Sequence, residues 1–359
     1  MISESHIAWK PWGKTLRCVA FAIKIITAAG NPCRCSFARL FAGLCYNEIS
    51  GNVVKKAGED LKKFAPFLVI LAGCCWATMG IFVRHLNGIG LEAMQIVEAR
   101  AVFTTVLMFA ALGILRRDLL KIKWKDLWCF AGGGIVSVIL FNYCYFQTIQ
   151  RASLSTAAIL LYTSPIFVLL LSVPLFGEKL TGKKLICLAM AFVGCALASG
   201  LTAGGMGLSA ETLLFGLGSG FGYGLYSIFS RFALQKGYHP ITITAYIFLF
   251  GALGGLPLTD FGQLVTVVSA DTENVLYLLA YTVVTTVIPY VSYTTGLQFV
   301  ENGVAAVLAC IEPVMATVFG IFVFAEMPDF SSWMGILLVL TVLTILNLQP
   351  KKEKSEEQL

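Results

Sequence analysis

Three ionisable residues lie inside long apolar stretches of the sequence, where a charged group could bind a proton or a charged substrate: Glu98, Arg100 and Glu312. Placing such a group at the centre of a membrane helix costs ~3 kcal/mol on insertion scales. Glu312 lies about 13 Å into its stretch at the rise of an α-helix, which is near the midplane of a bilayer. Pro313 follows it and has no backbone N–H, so carbonyl groups near Ala309 are predicted to be free to line a cavity.

Each of these groups also has a structural interpretation. Glu312 could pair with a neighbouring helix or fix the proline kink instead of binding a proton or a substrate. Glu98 and Arg100 are two residues apart and point in nearly opposite directions on a helix, so each needs a partner on another helix, a lipid head group or water. Arg100 could also extend toward the membrane surface. A pairing of Arg100 with Glu98 or with Glu312 stays open.

Polar and aromatic residues concentrate in the first, third, sixth and eighth apolar segments. Their number exceeds what a lipid-facing surface would carry, so some of them must face inward. The alternative for each residue is packing in a helix bundle or anchoring at the membrane interface. The candidates for a substrate pathway are Trp76, Asn142, Tyr145, Tyr223, Tyr226, Tyr290 and Tyr293.

The sequence lacks the patterns of an enzyme, a cofactor site or a nucleic-acid interface. Its 3 histidines form no zinc-protease motif, and most of its 11 cysteines lie inside apolar runs. Alternating glycines from Gly216 to Gly224 lie within an apolar helix, which favours close helix packing over phosphate binding. The net charge of +6 comes from basic residues scattered between apolar segments. We expect no catalysis, cofactor, metal or nucleic-acid partner.

These residues must be positioned by membrane-spanning helices. Hydrophobic residues make up 57% of the 359 positions and charged residues only 13%, too few to cover a soluble protein. We predict an all-α membrane protein with ten transmembrane helices, each close to the ~20 residues that cross a bilayer. The predicted spans are 64–86, 93–115, 127–148, 154–176, 183–201, 211–232, 241–259, 275–297, 303–325 and 332–349.

Basic residues fall mainly in the connections on one side of the predicted bundle. Cytoplasmic loops collect Lys and Arg, so this side is predicted to be the inside, with both termini there, in a bacterial-type inner membrane. The outside connections carry only Arg84 and Arg151. The inside residues are Arg116, Arg117, Lys121, Lys123, Lys125, Lys179, Lys183, Lys184, Arg231, Lys236, Lys351, Lys352 and Lys354.

The two ends of the chain differ from the rest. Residues 1–63 contain only one modest apolar run, at 18–29, which Lys24 interrupts. We expect a cytoplasmic extension that is poorly ordered or lies on the membrane surface, and its place in the native protein stays open. Residues 350–359 are expected to form a charged cytoplasmic tail.

The sequence repeats itself across its two halves. A shift of 148 residues sets Tyr145 on Tyr293, Gln150 on Gln298, Pro165 on Pro313 and Glu178 on Glu326, without a gap. A shift of 147 sets Gly73 on Gly220 and Arg84 on Arg231. Each repeat, 64–201 and 211–349, holds five helices, an odd number. The second repeat must therefore enter the membrane inverted, which is a physical basis for alternating access.

The doubled landmarks point to a known family. They are Ala157-Ala158-Ile159-Leu160 leading to Ser164-Pro165 and Gly177-Glu178, and Ala305-Ala306-Val307-Leu308 leading to Glu312-Pro313 and Ala325-Glu326. Over about 64–349 this arrangement resembles the drug/metabolite transporter superfamily, specifically proteins with two EamA domains. The second copy departs from the pattern where Ala325 replaces the usual glycine. The resemblance implies a structural or gating role for Glu178, Glu326 and the two prolines. Each glutamate could accept hydrogen bonds from the N-terminal amides of the next helix.

The resemblance also implies a function. We expect a secondary transporter that moves a small metabolite by alternating access. Export of an amino acid or a related compound is the specific expectation, and its driving force stays open between proton coupling and facilitated exchange. The alternatives are a receptor or scaffold in the membrane, or an intramembrane enzyme. The expected partners are the substrate, the lipid bilayer and, in an open alternative, a second copy of the chain.

The predicted orientation can be tested with reporter fusions. A reporter active only in the cytoplasm, fused within 116–125, is expected to be active because five basic side chains hold that loop inside. The same reporter fused within 260–274, which contains no basic residue, should be inactive. The reversed pattern would contradict the assignment.

Overall fold

The computed structural model describes residues 51–152, 154–198, 209–324 and 328–347. Expectations for residues 1–50, for Glu326 and for the tail from 348 lie outside this part of the chain. The described residues are helical throughout and contain no strand. A helix is present at each of the ten predicted positions. We label these ten helices α1 to α10, although several of them consist of two or three consecutive pieces.

The first repeat contains five helices. Their bounds are α1, Gly51–Ala77 continued by Met79–Gly88; α2, Ala93–Leu115; α3, Leu127–Ala131, Gly132–Ile139 and Leu140–Arg151; α4, Leu154–Leu161 and Ser164–Phe176; and α5, Gly182–Ala198. Two short 3₁₀ turns, Arg117–Leu120 and Trp124–Asp126, connect α2 to α3.

The second repeat contains the other five. Their bounds are α6, Ala210–Gln235; α7, Pro240–Gly255; α8, Thr272–Thr282, Val283–Val287 and Ile288–Leu297; α9, Asn302–Ala309 and Ile311–Phe324; and α10, Phe330–Asn347. A 3₁₀ turn, Leu256–Leu258, and a short helix, Phe261–Ser269, lie between α7 and α8.

Seven stretches of the described chain are long and apolar enough to cross a membrane. They belong to α1, α2, α3, α4, α7, α8 and α9. Helix α10 is a shorter apolar helix, and α5 has 17 residues in the described chain. Helix α6 has 26 residues, but its glycines and serines lower its mean hydropathy. The all-helical membrane architecture is therefore confirmed, while the crossing by these three helices stays a prediction.

The two repeats pack against each other as a two-fold axis requires. Extensive contacts join α5 to α10, α1 to α8, α3 to α6, and α2 to α7, and α4 also packs on α9. Under the sequence shift, α1 corresponds to α6 and α3 to α8, so the α1–α8 contact and the α6–α3 contact are the same contact seen from the two repeats. The two halves therefore form one bundle with a shared core and not two separate domains.

The irregular segments also recur in both repeats. The middle of α3, Gly132–Ile139, is π-helical, and so is the middle of α8, Val283–Val287, which the shift of 148 places at the same level. Helix α4 breaks after Leu161 and α9 breaks after Ala309, again 148 residues apart. π-Helical segments often occur at functional sites. Helix α1 is also interrupted, at Thr78, so the middle layer of the described bundle contains irregular segments of α1, α3, α4, α8 and α9.

A close contact between small residues joins α5 to α10. A Cβ atom added at Gly335 would lie 2.6 Å from the carbonyl oxygen of Gly194 and 2.8 Å from the Cβ of Leu197. The two backbones can approach this closely only because Gly335 has no side chain. Gly113 in α2 has the opposite environment, because an added Cβ would meet nothing within 4 Å.

We predict that Gly335→Ala destabilises the protein by about 1–3 kcal/mol, because the new methyl group must push two helices apart. Gly113→Ala, the matched control, should leave stability unchanged or raise it slightly, since Ala favours a helix over Gly. Thermal unfolding of both variants in detergent would measure the difference. Equal midpoints would contradict the packing described for α5 and α10.

Candidate functional site

A cluster of aromatic rings occupies the centre of the bundle, where α1, α6 and α8 meet. Trp76 of α1 lies 5.2 Å from Tyr290, 5.5 Å from Tyr293 and 6.1 Å from Tyr223, measured between ring centroids. Tyr226 lies 4.8 Å from Tyr290 in an edge-to-face arrangement. Five residues that the sequence analysis selected separately are therefore one group, drawn from both repeats.

Hydroxyl groups on neighbouring helices hold these rings in place. The hydroxyls of Tyr226 and Thr294 are 2.8 Å apart, and those of Ser227 and Tyr293 are also 2.8 Å apart. Both hydrogen bonds join α6 to α8. Buried hydroxyls bonded in this way give each ring a fixed position that packing alone would not give.

The rings surround an empty space of about 440 Å³, including its open mouth. Small and polar residues complete the wall, among them Ser137, Ser164 and Ser227. Phe141, Ala306 and Ala309 also line the cavity. The position beside the irregular layer is where inverted-repeat transporters hold their substrates.

Glu312 lies at the edge of this cavity, in the first turn of α9 after its break. The hydroxyl of Tyr223, a residue of the cavity wall, donates a hydrogen bond to its Oε2 over 3.3 Å. The side chain is half-buried, and its charge also interacts with the hydroxyls of Tyr145 and Tyr162. No ion pair involving Glu312 occurs among the described residues. Within the described part of the chain, the neighbours of this carboxylate are therefore hydroxyl groups and not cations.

Glu98 and Arg100 are buried, each with 1% exposure, but they do not line the cavity. Both oxygens of Glu98 lack a hydrogen-bond partner among the described residues, and the carboxylate fills the space that a side chain at Gly255 would need. The Nη1 of Arg100 lies 3.9 Å from the sulfur of Met79, and its charge also interacts with the hydroxyl of Tyr281. Arg100 forms no ion pair with Glu98 or Glu312, and it does not extend to the membrane surface.

Two other candidates lie beside the cavity wall. Asn142 is buried and donates its side-chain amide to the carbonyl of Val138 in its own helix over 2.7 Å. Tyr145 packs on Phe141, with ring centroids 6.0 Å apart. Neither residue lines the cavity itself. Sequence reasoning missed Phe141 and Ser164 as cavity residues. For Ser164 a signal existed, because the shift of 148 residues aligns it with Glu312.

Pro165 and Pro313 explain the breaks in α4 and α9. A proline cannot donate to the carbonyl four residues earlier, which is that of Leu161 in α4 and of Ala309 in α9. A glycine of a neighbouring helix faces each of these carbonyl oxygens. A Cβ atom added at Gly73 would lie 3.2 Å from the carbonyl oxygen of Ala309, and one added at Gly220 would lie 3.2 Å from that of Leu161. Gly73 and Gly220, which the shift of 147 residues aligns, therefore make equivalent contacts in the two repeats.

A polar network closes the predicted inner end of the bundle. Glu178, at the end of α4, accepts hydrogen bonds from the backbone N–H groups of Asn302, over 2.6 Å, and Gly303, over 3.2 Å. These are the first residues of α9, so a carboxylate of one repeat caps a helix of the other. The predicted acceptor role is present, but the donors belong to α9 and not to the next helix, α5. We call this contact the inner cap.

Charged side chains surround the inner cap. Arg231 donates from Nε to the side-chain oxygen of Asn302 over 2.8 Å and from Nη2 to the carbonyl of Val300, and Lys184 pairs with Glu301. Nearby, Lys236 contacts Asp126 over 2.6 Å, and this hydrogen bond raises the pKa of Lys236. Sequence reasoning missed Asn302 and Glu301, because nothing along the chain indicates which helix start lies beside Glu178.

Two inverted five-helix repeats around a central cavity define a membrane transporter. The model of the EamA-like transporter family matches residues 63–200 and again residues 211–348. The chain belongs to this family, and it is an integral protein of a bacterial-type membrane.

Similar proteins cover nearly all of the two-repeat region. An "uncharacterized transporter" of Archaeoglobus fulgidus is 27% identical, over 77% of this chain and 94% of the relative. The uncharacterized transporter YwfM of Bacillus subtilis is 24% identical, over 80% of this chain and 95% of the relative. A solved crystal structure matches with a TM-score of 0.63 at 17% identity, over 79% of this chain and 95% of the other, which supports the fold alone.

Proposed function

We propose that this chain is a proton-linked secondary transporter in which the central cavity binds a small metabolite and Glu312 carries the coupling charge. The observation that supports this most is the position of the carboxylate. It lies beside a cavity built by both repeats, next to the break in α9, and its described neighbours supply hydroxyls but no cation. A proton or a charged substrate can then neutralise it in turn. Export, with an amino acid or a related compound as substrate, is the working expectation that the family suggests.

We propose further that the two repeats open the cavity alternately. The inner cap joins Glu178 of α4 to the start of α9. The shift of 148 residues assigns an equivalent contact between Glu326 and the start of α4, around Leu154 and Ser155. Because the repeats are inverted, this outer cap would lie on the opposite side of the membrane. Alternating access then corresponds to an exchange of one cap for the other.

The proposed orientation has the amino and carboxyl termini on the inside. In this orientation the inner cap and the contact between Asp126 and Lys236 are both on the cytoplasmic side, where the basic loops also lie. Arg231 supports the inner cap, and the shift of 147 assigns its counterpart, Arg84, to the outer end. A glutamate and an arginine therefore occupy equivalent positions in the two repeats, Glu178 with Arg231 and Glu326 with Arg84.

Glu312→Gln should preserve folding and membrane insertion but abolish substrate flux or uncouple it from the proton gradient. The substitution removes the charge at nearly constant shape, and the amide oxygen can still accept the hydrogen bond from Tyr223. The measurement is counter-flow of radiolabelled amino acids and amines in proteoliposomes, with and without a pH gradient. Glu273→Gln, at an exposed glutamate in the first turn of α8, is the control and should transport normally. An unchanged rate and pH dependence in the Glu312 variant would refute the coupling role.

The exchange of caps predicts opposite effects for two glutamates. Losing the carboxylate of Glu178 weakens the inner cap by about 1.5 kcal/mol, which shifts the ratio of the two states about tenfold. In Glu178→Gln, the amides of 302–308 should exchange hydrogen faster and those of 154–160 slower. Glu326→Gln should give the reverse pattern.

Hydrogen exchange with peptide-level mass spectrometry would measure both variants, again with Glu273→Gln as the control. The critical observation is slower hydrogen exchange at the end opposite the mutated glutamate. A variant that loosens its own cap without slowing exchange at the other end shows only local loss of structure, and this result would reject the exchange of caps.

A further inference from the structure

The central cavity has the composition of a site for an organic cation. Rings of Trp76, Tyr223, Tyr226, Tyr290 and Tyr293 line it, and the centroid distances from Trp76 to three of them are 5.2 to 6.1 Å. The π-face of an aromatic ring attracts a cation that lies within ≈ 6 Å of its centroid. A ligand that enters this space therefore has aromatic rings on several sides.

A carboxylate lies directly behind the cavity wall. Every described residue that lines it is uncharged, and the nearest acid, Glu312, is bonded to the wall residue Tyr223. Two cations lie further out, and each has other contacts. Arg231 is bonded to Asn302 and Val300, and its charge also acts on the wall residue Tyr293. Arg100 packs on Met79, and its charge acts on Tyr281 and on the wall residue Tyr290. Among the described residues, neither cation lines the cavity or is hydrogen-bonded to a wall residue, whereas the carboxylate of Glu312 is. An ammonium group at the wall would therefore have both the rings and this carboxylate beside it.

We propose that the cavity binds an organic ammonium ion, an amine with an apolar body, in preference to the zwitterionic amino acid of the same side chain. This inference rests on the proposed function and makes its substrate class specific. The ammonium group lies against Trp76 and the tyrosines, with Glu312 as its counter-ion. The apolar body occupies the space beside Phe141 and Val168. A zwitterion brings a second negative charge next to Glu312 in a low-dielectric interior, and an unpaired buried charge is costly.

Three probes with the same phenyl ring separate the contributions of charge and shape. They are phenethylamine, its amino acid phenylalanine, and the neutral alcohol 2-phenylethanol. Binding to the full-length protein in lipid nanodiscs is measured by isothermal titration calorimetry. Phenethylamine is expected to bind at least about tenfold more tightly than either of the others, because only it gains both the cation–π contact and the charge-assisted hydrogen bond.

Single substitutions test which residues cause the tighter binding of phenethylamine. Glu312→Gln should weaken phenethylamine binding about tenfold or more and leave 2-phenylethanol binding nearly unchanged. Trp76→Leu should weaken phenethylamine binding several-fold, and Trp76→Phe should restore part of it, because a smaller ring keeps a weaker attraction. Glu273→Gln is the matched control. Where the Glu312 variant does not fold, the pair of Trp76 variants still tests the aromatic contribution.

The outcomes separate this inference from the proposed function. Phenylalanine bound as tightly as phenethylamine, and carried in proteoliposomes, overturns the ammonium assignment and leaves the transporter intact. Equal binding of 2-phenylethanol, or no binding of any probe at millimolar concentration, also overturns the assignment. Phenethylamine binding that depends on Glu312, without flux in sealed vesicles, supports the ammonium site and contradicts transport.

Discussion

The structure depends on two prolines that each remove a backbone donor from the middle of a membrane helix. In hydrocarbon an unsatisfied carbonyl costs several kcal/mol, so a broken helix needs another helix very close to it. Gly73 and Gly220 allow that approach, because an added Cβ would contact the carbonyl oxygen that each proline leaves without a donor. The close approach of α1 to α9 and of α6 to α4 keeps these carbonyls away from lipid, at the level of the irregular middle layer in which the cavity lies.

The sequence predicted the parts of this arrangement that repeat. Helix positions follow from apolar runs of fixed length. Pro165 and Pro313 predict the helix breaks, because the missing N–H of a proline affects only the carbonyl four residues earlier. The aromatic residues could be selected but not grouped, since a helix can turn any of its faces toward lipid or protein. The donors to Glu178 could not be predicted at all. A carboxylate at a helix end accepts equally well from any nearby helix start, and only the three-dimensional packing places α9 there instead of α5.

Arg100 and Glu98 show the same limit for charge. Opposite charges in a membrane protein are expected to pair, yet the structure buries both side chains without joining them. Their spacing of two residues explains this, because it directs them to opposite sides of α2. Glu98 contacts Gly255 of α7, whereas Arg100 contacts Met79 of α1.

The two repeats have equivalent backbones, but they differ in charge at one position beside the cavity. At the equivalent position before the proline, α4 carries Ser164 and α9 carries Glu312. A symmetric pair of carboxylates around one cavity would repel each other in a low-dielectric interior, and one of them would stay protonated. A single carboxylate avoids this cost and leaves one site that a proton or a cation can neutralise. In the proposed transport cycle, the inverted backbone would supply two similar end states, and the asymmetric side chain would supply one binding charge that both states share.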